Sequence, residues 1–205
     1  MNISATLNVS KLLVKPSLAM PHLQVETFAD LPVPIRFPQS ISTQIKAVVL
    51  DKDNCFAKNH DDKVWPEYES KWNDLRSNYP NAQLLIVSNS AGTNDDLDHI
   101  QAEVLEKNTG VKVFRHSTKK PGCHVDIMDY FLKHKVVSGP HEVAVVGDRL
   151  FTDILMANMM GSWGVWISKG VFESQSVVCQ LERQFFSKVS AYVKAVPPHA
   201  KSEKK

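Results

Sequence analysis

The stretch at residues 45–54, Ile-Lys-Ala-Val-Val-Leu-Asp-Lys-Asp-Asn, constrains the fold more than any other part of this chain. Its apolar run, Ala47 to Leu50, has the length and β-branched content of a strand that is buried on both faces, as in a parallel sheet. Two aspartates follow, Asp51 and Asp53, whose side chains begin on the same side of an extended backbone. In open α/β sheets, ligands bind beyond the carboxyl ends of the strands. The stretch therefore predicts a cation site, a pair of acid–base groups, or only a solvated acidic turn.

Further apolar runs alternate with segments of helical periodicity along the rest of the chain, and together they predict a parallel, three-layer α/β domain. The predicted strands lie at residues 83–87, 111–114, 143–146 and 163–167, the last of which we expect to close the sheet.

Two of the predicted helices also carry a predicted apolar face. One helix runs to about Lys107, and we expect Leu97, Ile100 and Val104 on its inner face. The other covers residues 177–193, which resemble an amphipathic helix through Val177, Leu181, Phe185 and Val189.

Each of four loops that follow the strands offers a different polar group. Beyond Asp51 and Asp53, these groups are Ser88 and Asn89 after the second strand, Lys120 after the third, and Asp148 with Asp153 after the fourth. Each group alone is a weak signal, because serine, asparagine and Gly-Asp are common where strands turn. Their order and shared topological position favour one common site.

These residues resemble the motifs of the haloacid dehalogenase-like phosphohydrolases. That superfamily has a strand-end Asp-x-Asp, a strand-end Ser or Thr, a lysine that opens a helix, and a Gly-Asp-x-x-x-Thr-Asp cluster. The corresponding residues here are Asp51-Lys52-Asp53, Ser88, Lys120-Pro121 and Gly147-Asp148-Arg149-Leu150-Phe151-Thr152-Asp153. The resemblance covers roughly residues 41–170. It departs from the commoner pattern at Asn54-Cys55, where many members have Gly-Thr or Gly-Val.

The resemblance implies a role for each matched residue. Asp51 would be the nucleophile and Asp53 the general acid and base, with an aspartyl phosphate as the intermediate. The transferring phosphoryl group would be held by Ser88 and Lys120, with Asn89 beside them. The resemblance implies a Mg²⁺ site formed by Asp51, the main-chain carbonyl of Asp53, and Asp148, with Asp153 and Arg149 as possible supporting residues.

The spacing between the motifs leaves no room for the cap domain that many members insert, so we expect an open site. An open site suits a phosphate that is carried on a protein, a nucleic acid or a lipid headgroup. More narrowly, the motif segments resemble the fungal mitochondrial phosphatidylglycerophosphate phosphatases, which implies a phospholipid substrate in cardiolipin biosynthesis and the matrix side of the mitochondrial inner membrane. The alternatives are a capless phosphatase acting on phosphoprotein or another macromolecular phosphate, and a catalytically silent membrane-peripheral adaptor.

Charge and the terminal segments bound the remaining possibilities. The formal net charge of +2 on 205 residues gives no support for a nucleic-acid partner, and no apolar stretch is long enough to span a bilayer. Residues 1–25 contain no acidic residue, and residues 1–15 read as an amphipathic helix. That helix could target an organelle, lie peripherally on a membrane or dock on the protein's own core.

We expect an N-terminal segment and Pro-rich linker over 1–40, the phosphatase domain over 41–195, and a disordered tail over 196–205.

Overall fold

A single parallel sheet of six strands organises the protein, as seen in a computed structural model that describes residues 10–39 and 43–199. The strands are β1 (Leu23–Val25), β2 (Ala47–Leu50), β3 (Leu84–Ile86), β4 (Lys112–Val113), β5 (Val143–Gly147) and β6 (Trp163–Ile167). Their order across the sheet is β1-β6-β5-β2-β3-β4, with every pairing parallel. The strand that carries the two aspartates at its end, β2, therefore lies inside the sheet between β5 and β3.

In the part of the chain that the structure describes, five α-helices accompany these strands: α1 (Glu69–Asn78), α2 (Ile100–Thr109), α3 (His124–Lys133), α4 (Leu155–Met160) and α5 (Val177–Val189). Because strand side chains alternate between faces, each strand serves two cores. Val48 and Leu50 pack in one core with α1 and α2, and Ala47 and Val49 pack in the other with α3 and α4. This is the three-layer α/β architecture that the sequence predicts.

No separate domain is inserted between the sheet strands within residues 43–199. Between β2 and β3 the chain forms loops, short 3₁₀ turns and α1, and between β3 and β4 it forms α2 with the turn before it. The same described portion contains no helix with the length and apolar character that crossing a membrane requires.

The predicted domain boundary at residue 41 places one strand on the wrong side. Residues 23–25 were assigned to the segment ahead of the domain, but they form β1 and pair in parallel with β6 from Leu23–Val165 to Val25–Ile167. Consequently β6 does not close the sheet. Three residues are too few for a recognisable period, so the partner strand, not the local sequence, specifies β1. Residues 1–9 of the predicted amphipathic helix and residues 200–205 of the predicted tail lie outside the described residues.

The predicted inner face of the helix that ends near Lys107 is also wrong, and the apolar stripe predicted for residues 177–193 is only partly buried. In α2 the buried residues are Ala102, Leu105 and Thr109, whereas Leu97, Ile100 and Val104 are exposed. The Asp96 carboxylate accepts hydrogen bonds from the amides of Gly92, Gln101 and Ala102, and this fixes the start of the helix.

In α5 the buried residues are Cys179 and Glu182, and Phe185 and Phe186 are partly buried. Val177 and Leu181 point away from the core instead.

Candidate active site

Three carboxylates meet where β2 and β5 end. Asp51 directly follows β2, Asp148 directly follows β5, and Asp153 lies in the single π-helical turn Leu150–Ile154 that leads into α4. One oxygen from each carboxylate lies within 4.8 Å of the others. Asp153, which the sequence suggested only as a supporting residue, is fully buried in this cluster.

The buried ammonium group of Lys120 lies against two of these carboxylates. Its Nζ is 2.5 Å from Asp51 Oδ1 and 2.7 Å from Asp153 Oδ1. Burial by itself would lower the pKa of Lys120, but the charges of Asp153 and Asp51 outweigh it and hold that pKa above its usual value. Lys120 is therefore a fixed positive charge beside Asp51.

The cluster has more negative charge than this one lysine balances. Burial, followed by the neighbouring charge of Asp153, raises the pKa of Asp51 to about 7, although Lys120 acts in the opposite direction. The pKa of Asp148 is also well above its usual range, first through removal from water and then through Asp51 and Asp153. Carboxylate oxygens gathered in this way suit a hard divalent cation. Among the described residues, Asp51, Asp148 and Asp153 therefore fit a metal site.

Asp53 shares the site but has different surroundings. Its Oδ1 accepts hydrogen bonds from Lys52 Nζ at 2.7 Å and from the His60 amide at 2.9 Å. Its Oδ2 accepts a long hydrogen bond, 3.4 Å, from Ser90 Oγ. About a third of the side chain is exposed. The two aspartates predicted to begin on one side thus differ: Asp51 lies among buried charges, and Asp53 faces water at the opening.

The end of β3 supports the loop that carries Lys120. Asn89 Oδ1 accepts a hydrogen bond from the Lys120 amide at 2.8 Å. Ser88 is buried, and its hydroxyl oxygen lies 2.9 Å from that of Ser90. His116 connects the end of β3 to the loop that carries Lys120, with Nε2 at 3.0 Å from Ser88 O and Nδ1 at 2.8 Å from Thr118 O. The two segments are therefore joined both through Asn89 and through His116.

Asn54, noted from the sequence only as a departure from the common motif, holds three segments together. Its φ of 59° lies in the left-handed region, which glycine adopts freely and asparagine tolerates. Its Nδ2 donates to Asp148 Oδ2 at 3.0 Å, and its Oδ1 accepts from the Phe172 amide at 3.0 Å. Asparagine therefore preserves a turn that glycine could make, and it adds a link between the carboxylates and the chain after β6.

Glu182 is a second residue without a local sequence signal. It lies on α5, is almost fully buried, and accepts hydrogen bonds from Arg149 Nε and from the Phe151 amide, both at 2.9 Å. The Arg149 amide in turn donates to Asp153 Oδ2 at 3.1 Å. No local pattern singles out Glu182, since its partner is 33 residues away.

A cleft of about 270 Å³ lies at this end of the sheet, and several of the residues described above line it. Its lining residues are Asp51, Asp53, Asn54, Asn59, Asn89, Lys120, Asp148, Arg149, Thr152, Ser174, Ser176 and Cys179. A larger hollow, of about 690 Å³, lies beside Pro34–Pro38 and Tyr79, but no acidic residue or lysine lines it. The chemistry is concentrated in the smaller cleft.

A parallel sheet whose strand ends bring Asp51, Asp148, Asp153 and Lys120 together matches the pattern of the haloacid dehalogenase-like phosphatases, the class expected from the sequence. Residues 3–172 match the family model described as mitochondrial PGP phosphatase. The chain belongs to the mitochondrial PGP phosphatase family.

Named relatives agree with this assignment. The chain is 58% identical over 187 residues to the mitochondrial phosphatidylglycerophosphatase GEP4 of Saccharomyces cerevisiae, covering 91% of this chain and 98% of the relative. It is 30% identical to the probable mitochondrial phosphatidylglycerophosphatase of Schizosaccharomyces pombe, covering 91% of this chain and 92% of the relative. A solved structure of an uncharacterized protein from Listeria monocytogenes overlaps 64% of this chain and 85% of its own, with 13% identity and a TM-score of 0.43.

Proposed function

We propose that this protein hydrolyses phosphatidylglycerophosphate to phosphatidylglycerol and inorganic phosphate, a step of cardiolipin biosynthesis. The observation that carries the proposal is the buried pairing of Asp51 with Lys120 beside Asp148 and Asp153, in a chain that aligns almost end to end with relatives named for this activity.

Asp51 is the proposed nucleophile. In the first step a carboxylate oxygen of Asp51 forms a bond to phosphorus as the bond from phosphorus to the glycerol oxygen breaks, and Asp53 protonates the departing alkoxide. In the second step water attacks the aspartyl phosphate, Asp53 takes a proton from that water, and the carboxylate of Asp51 is released with phosphate. The exposure of Asp53 at the opening suits a group that meets both the leaving oxygen and water.

Charge on the transferring phosphoryl group is the main quantity that such a site must stabilise. Lys120 provides a buried cation at the nucleophile, and Ser88 and Asn89 support its loop from the end of β3. Arg149, which lines the cleft and is fixed by Glu182, is the proposed further contact for phosphate.

Mg²⁺ is the proposed cofactor, held by Asp51 and Asp148 with Asp153 beside them and, as the family resemblance implies, by the main-chain carbonyl of Asp53. The carboxylate cluster fits it, because three acids face one lysine there. When bound, the metal supplies positive charge to the phosphoryl oxygens and orients them for in-line attack.

Peripheral binding to the matrix side of the mitochondrial inner membrane is the proposed setting, with residues 1–15 as one contact. Among the described residues of that segment, Leu12 packs against Leu155, whereas Leu13 and Val14 are each 90% exposed. The short 3₁₀ turn Ser10–Leu13 is thus partly docked and partly available to a lipid surface.

Phosphate release from a panel of substrates tests this function. We expect phosphatidylglycerophosphate in detergent micelles to be hydrolysed with Mg²⁺ and not in excess chelator, and nucleotides and phosphopeptides to be poor substrates. Phosphopeptide turnover faster than lipid turnover would instead establish a capless protein phosphatase. Undiminished activity in chelator would exclude the metal assignment.

A further inference from the structure

Apolar side chains that belong to the apolar stripe predicted for residues 177–193 are exposed on the outer face of α5. Val177 is 71% exposed and Leu181 is 53% exposed. Residues four apart lie on one side of a helix, so these two are neighbours, and Cys179 and Glu182 occupy the buried side. The pair therefore forms an apolar surface with no covering partner among the described residues.

This surface is close in sequence to residues that line the cleft of the candidate active site. Phe172, 52% exposed, lies just ahead of α5 in the chain, and the intervening Ser174 and Ser176 line the cleft. We name Phe172, Val177 and Leu181 the apolar rim.

The rim is anchored to the floor of the cleft. The Phe172 amide donates a hydrogen bond to Asn54 Oδ1, and Asn54 Nδ2 donates one to Asp148. On the buried side of α5, Glu182 forms a salt bridge with Arg149. Both anchors, Asn54 and Arg149, are cleft-lining residues, so the segment that carries the rim borders the cleft.

The size of the cleft limits what it can enclose. At about 270 Å³ it is slightly below the range of roughly 300–1,000 Å³ for pockets that enclose a drug-sized ligand. It can hold a phosphoglycerol group, but two acyl chains must extend beyond its mouth. If the proposed function holds, those chains lie in a bilayer when the phosphate reaches Asp51, so the lipid surface must come to the mouth.

We propose that the apolar rim inserts into the lipid layer and holds the mouth of the cleft against the membrane, a role that rests on the proposed function. The nearby charges suit an anionic leaflet. Lys188 lies on the same face of α5 as Val177 and Leu181, and Lys58 Nζ is 5.9 Å from the centre of the Phe172 ring. The acid within the rim segment, Glu173, lies 3.9 Å from Arg183.

Cosedimentation with vesicles of phosphatidylcholine and phosphatidylglycerol tests the rim. The full-length V177Q/L181Q variant should partition onto these vesicles roughly tenfold less than the wild type, because two aliphatic side chains lose their burial in lipid. Its hydrolysis of a soluble short-chain phosphate ester should be unchanged, since neither residue lines the cleft. Wild-type partitioning by V177Q/L181Q would overturn the proposal.

Two matched variants make the result specific. L97Q/I100Q removes the same number of exposed aliphatic side chains from the start of α2, where Leu97 is 78% and Ile100 is 58% exposed, and should bind vesicles as the wild type does. V177I/L181I keeps the rim apolar and should also bind normally. An equal loss in L97Q/I100Q would overturn the proposal, since binding would then follow surface hydrophobicity anywhere on the protein.

Light scattering distinguishes a membrane contact from a contact between two copies of this chain. A monomeric wild type supports the proposal, whereas a dimer that V177Q/L181Q converts to monomers overturns it. Failure of the proposed function would be visible separately, as absence of turnover on micellar phosphatidylglycerophosphate by the wild type, because the vesicle measurement requires no turnover.

Discussion

The floor of the cleft, which we define as Asp51, Asp148, Asp153 and Lys120, contrasts with the apolar rim. Charged residues are usually exposed and apolar residues usually buried, and the two regions depart from this rule in opposite directions. On the floor, Asp153 and Lys120 are charged and almost completely buried, whereas on the rim Phe172, Val177 and Leu181 are apolar and exposed. Buried charge is costly unless it is paired, and exposed apolar surface at a cleft commonly marks a contact with something else. In the proposed function the two costs answer two different requirements: the buried charges stabilise phosphate, and the rim contacts the lipid layer that carries it.

Removing the proposed nucleophile should have the largest effect. Asp51→Asn replaces the anionic carboxylate with a neutral amide, a far weaker nucleophile, so we expect turnover to fall by several orders of magnitude on both soluble and bilayer substrates. Vesicle binding should be unchanged, because the rim is intact. The matched variant Asp95→Asn changes an exposed aspartate outside the cleft and should retain full activity. Near-normal turnover by Asp51→Asn would show that the floor is not the catalytic centre.

Removing a carboxylate beside the nucleophile should change the metal requirement. We expect Asp148→Ala to raise the Mg²⁺ concentration needed for half-maximal activity by a large factor, roughly 10-fold or more, because one of the gathered oxygen donors is lost. Titration of phosphate release against Mg²⁺ measures this change, and Ca²⁺ should replace Mg²⁺ poorly because it prefers more ligands at longer distances. An unchanged Mg²⁺ dependence would remove Asp148 from the metal site.

Asn54 links the floor to the rim, so substituting it should affect both. Asn54→Gly keeps the left-handed turn but loses the bonds to Asp148 and to the Phe172 amide, whereas Asn54→Ala also strains the backbone. We expect both variants to lose activity. We also expect the free energy of unfolding of Asn54→Ala to be about 1 kcal/mol lower than that of Asn54→Gly. Denaturant unfolding measures this difference. Equal stability of the two variants would contradict the strain argument.

Deleting residues 1–15 should affect the membrane contact but not the floor. We expect reduced sedimentation with anionic vesicles and slower turnover of bilayer substrate, since each lysine near an anionic leaflet contributes about 1 kcal/mol and Lys11 and Lys15 are both removed. Hydrolysis of a soluble ester should be largely preserved. Vesicle binding equal to that of the full chain would leave the rim as the sole proposed contact.

We expect the smallest effect from His22, which belongs to neither the floor nor the rim and which makes the stability of the protein depend on pH. His22 accepts a hydrogen bond from the Gly164 amide at Nδ1, and burial lowers its pKa below the usual 6.5. Below pH 6.5 the unfolded chain therefore binds the proton more readily than the folded chain, so stability falls as the pH falls. His22→Gln should be less stable near neutral pH and show a weaker loss on acidification. A melting-temperature series measures both, and identical slopes for the two proteins would contradict the assignment.

The floor could be predicted from the sequence because each of its residues directly follows or closely succeeds an apolar run. Asp51 and Asp148 stand where strands end, and parallel strands bring their ends to one edge. The rim could not be predicted in the same way. Periodicity places Val177 and Leu181 on one helix face with Lys188, but it does not say which face is inward. That choice depends on long-range contacts, such as the ion pair of Glu182 with Arg149 and the ring contact of Phe186 with Trp166. Long-range pairing likewise specifies β1, which local sequence assigns to a linker.

The parallel pairing of β1 with β6 limits how far the amino terminus can be shortened by proteolysis. His22, directly ahead of β1, places its Nε2 2.9 Å from Val196 O, so this residue also holds the segment that follows α5 in place. A protease that cuts ahead of His22 would leave this edge intact. A cut beyond Val25 would leave the Val165 and Ile167 side of β6 without its partner, and an uncovered apolar strand edge promotes association between chains. We therefore expect a shortened form of this protein to keep the β1–β6 edge covered only if it begins no later than His22.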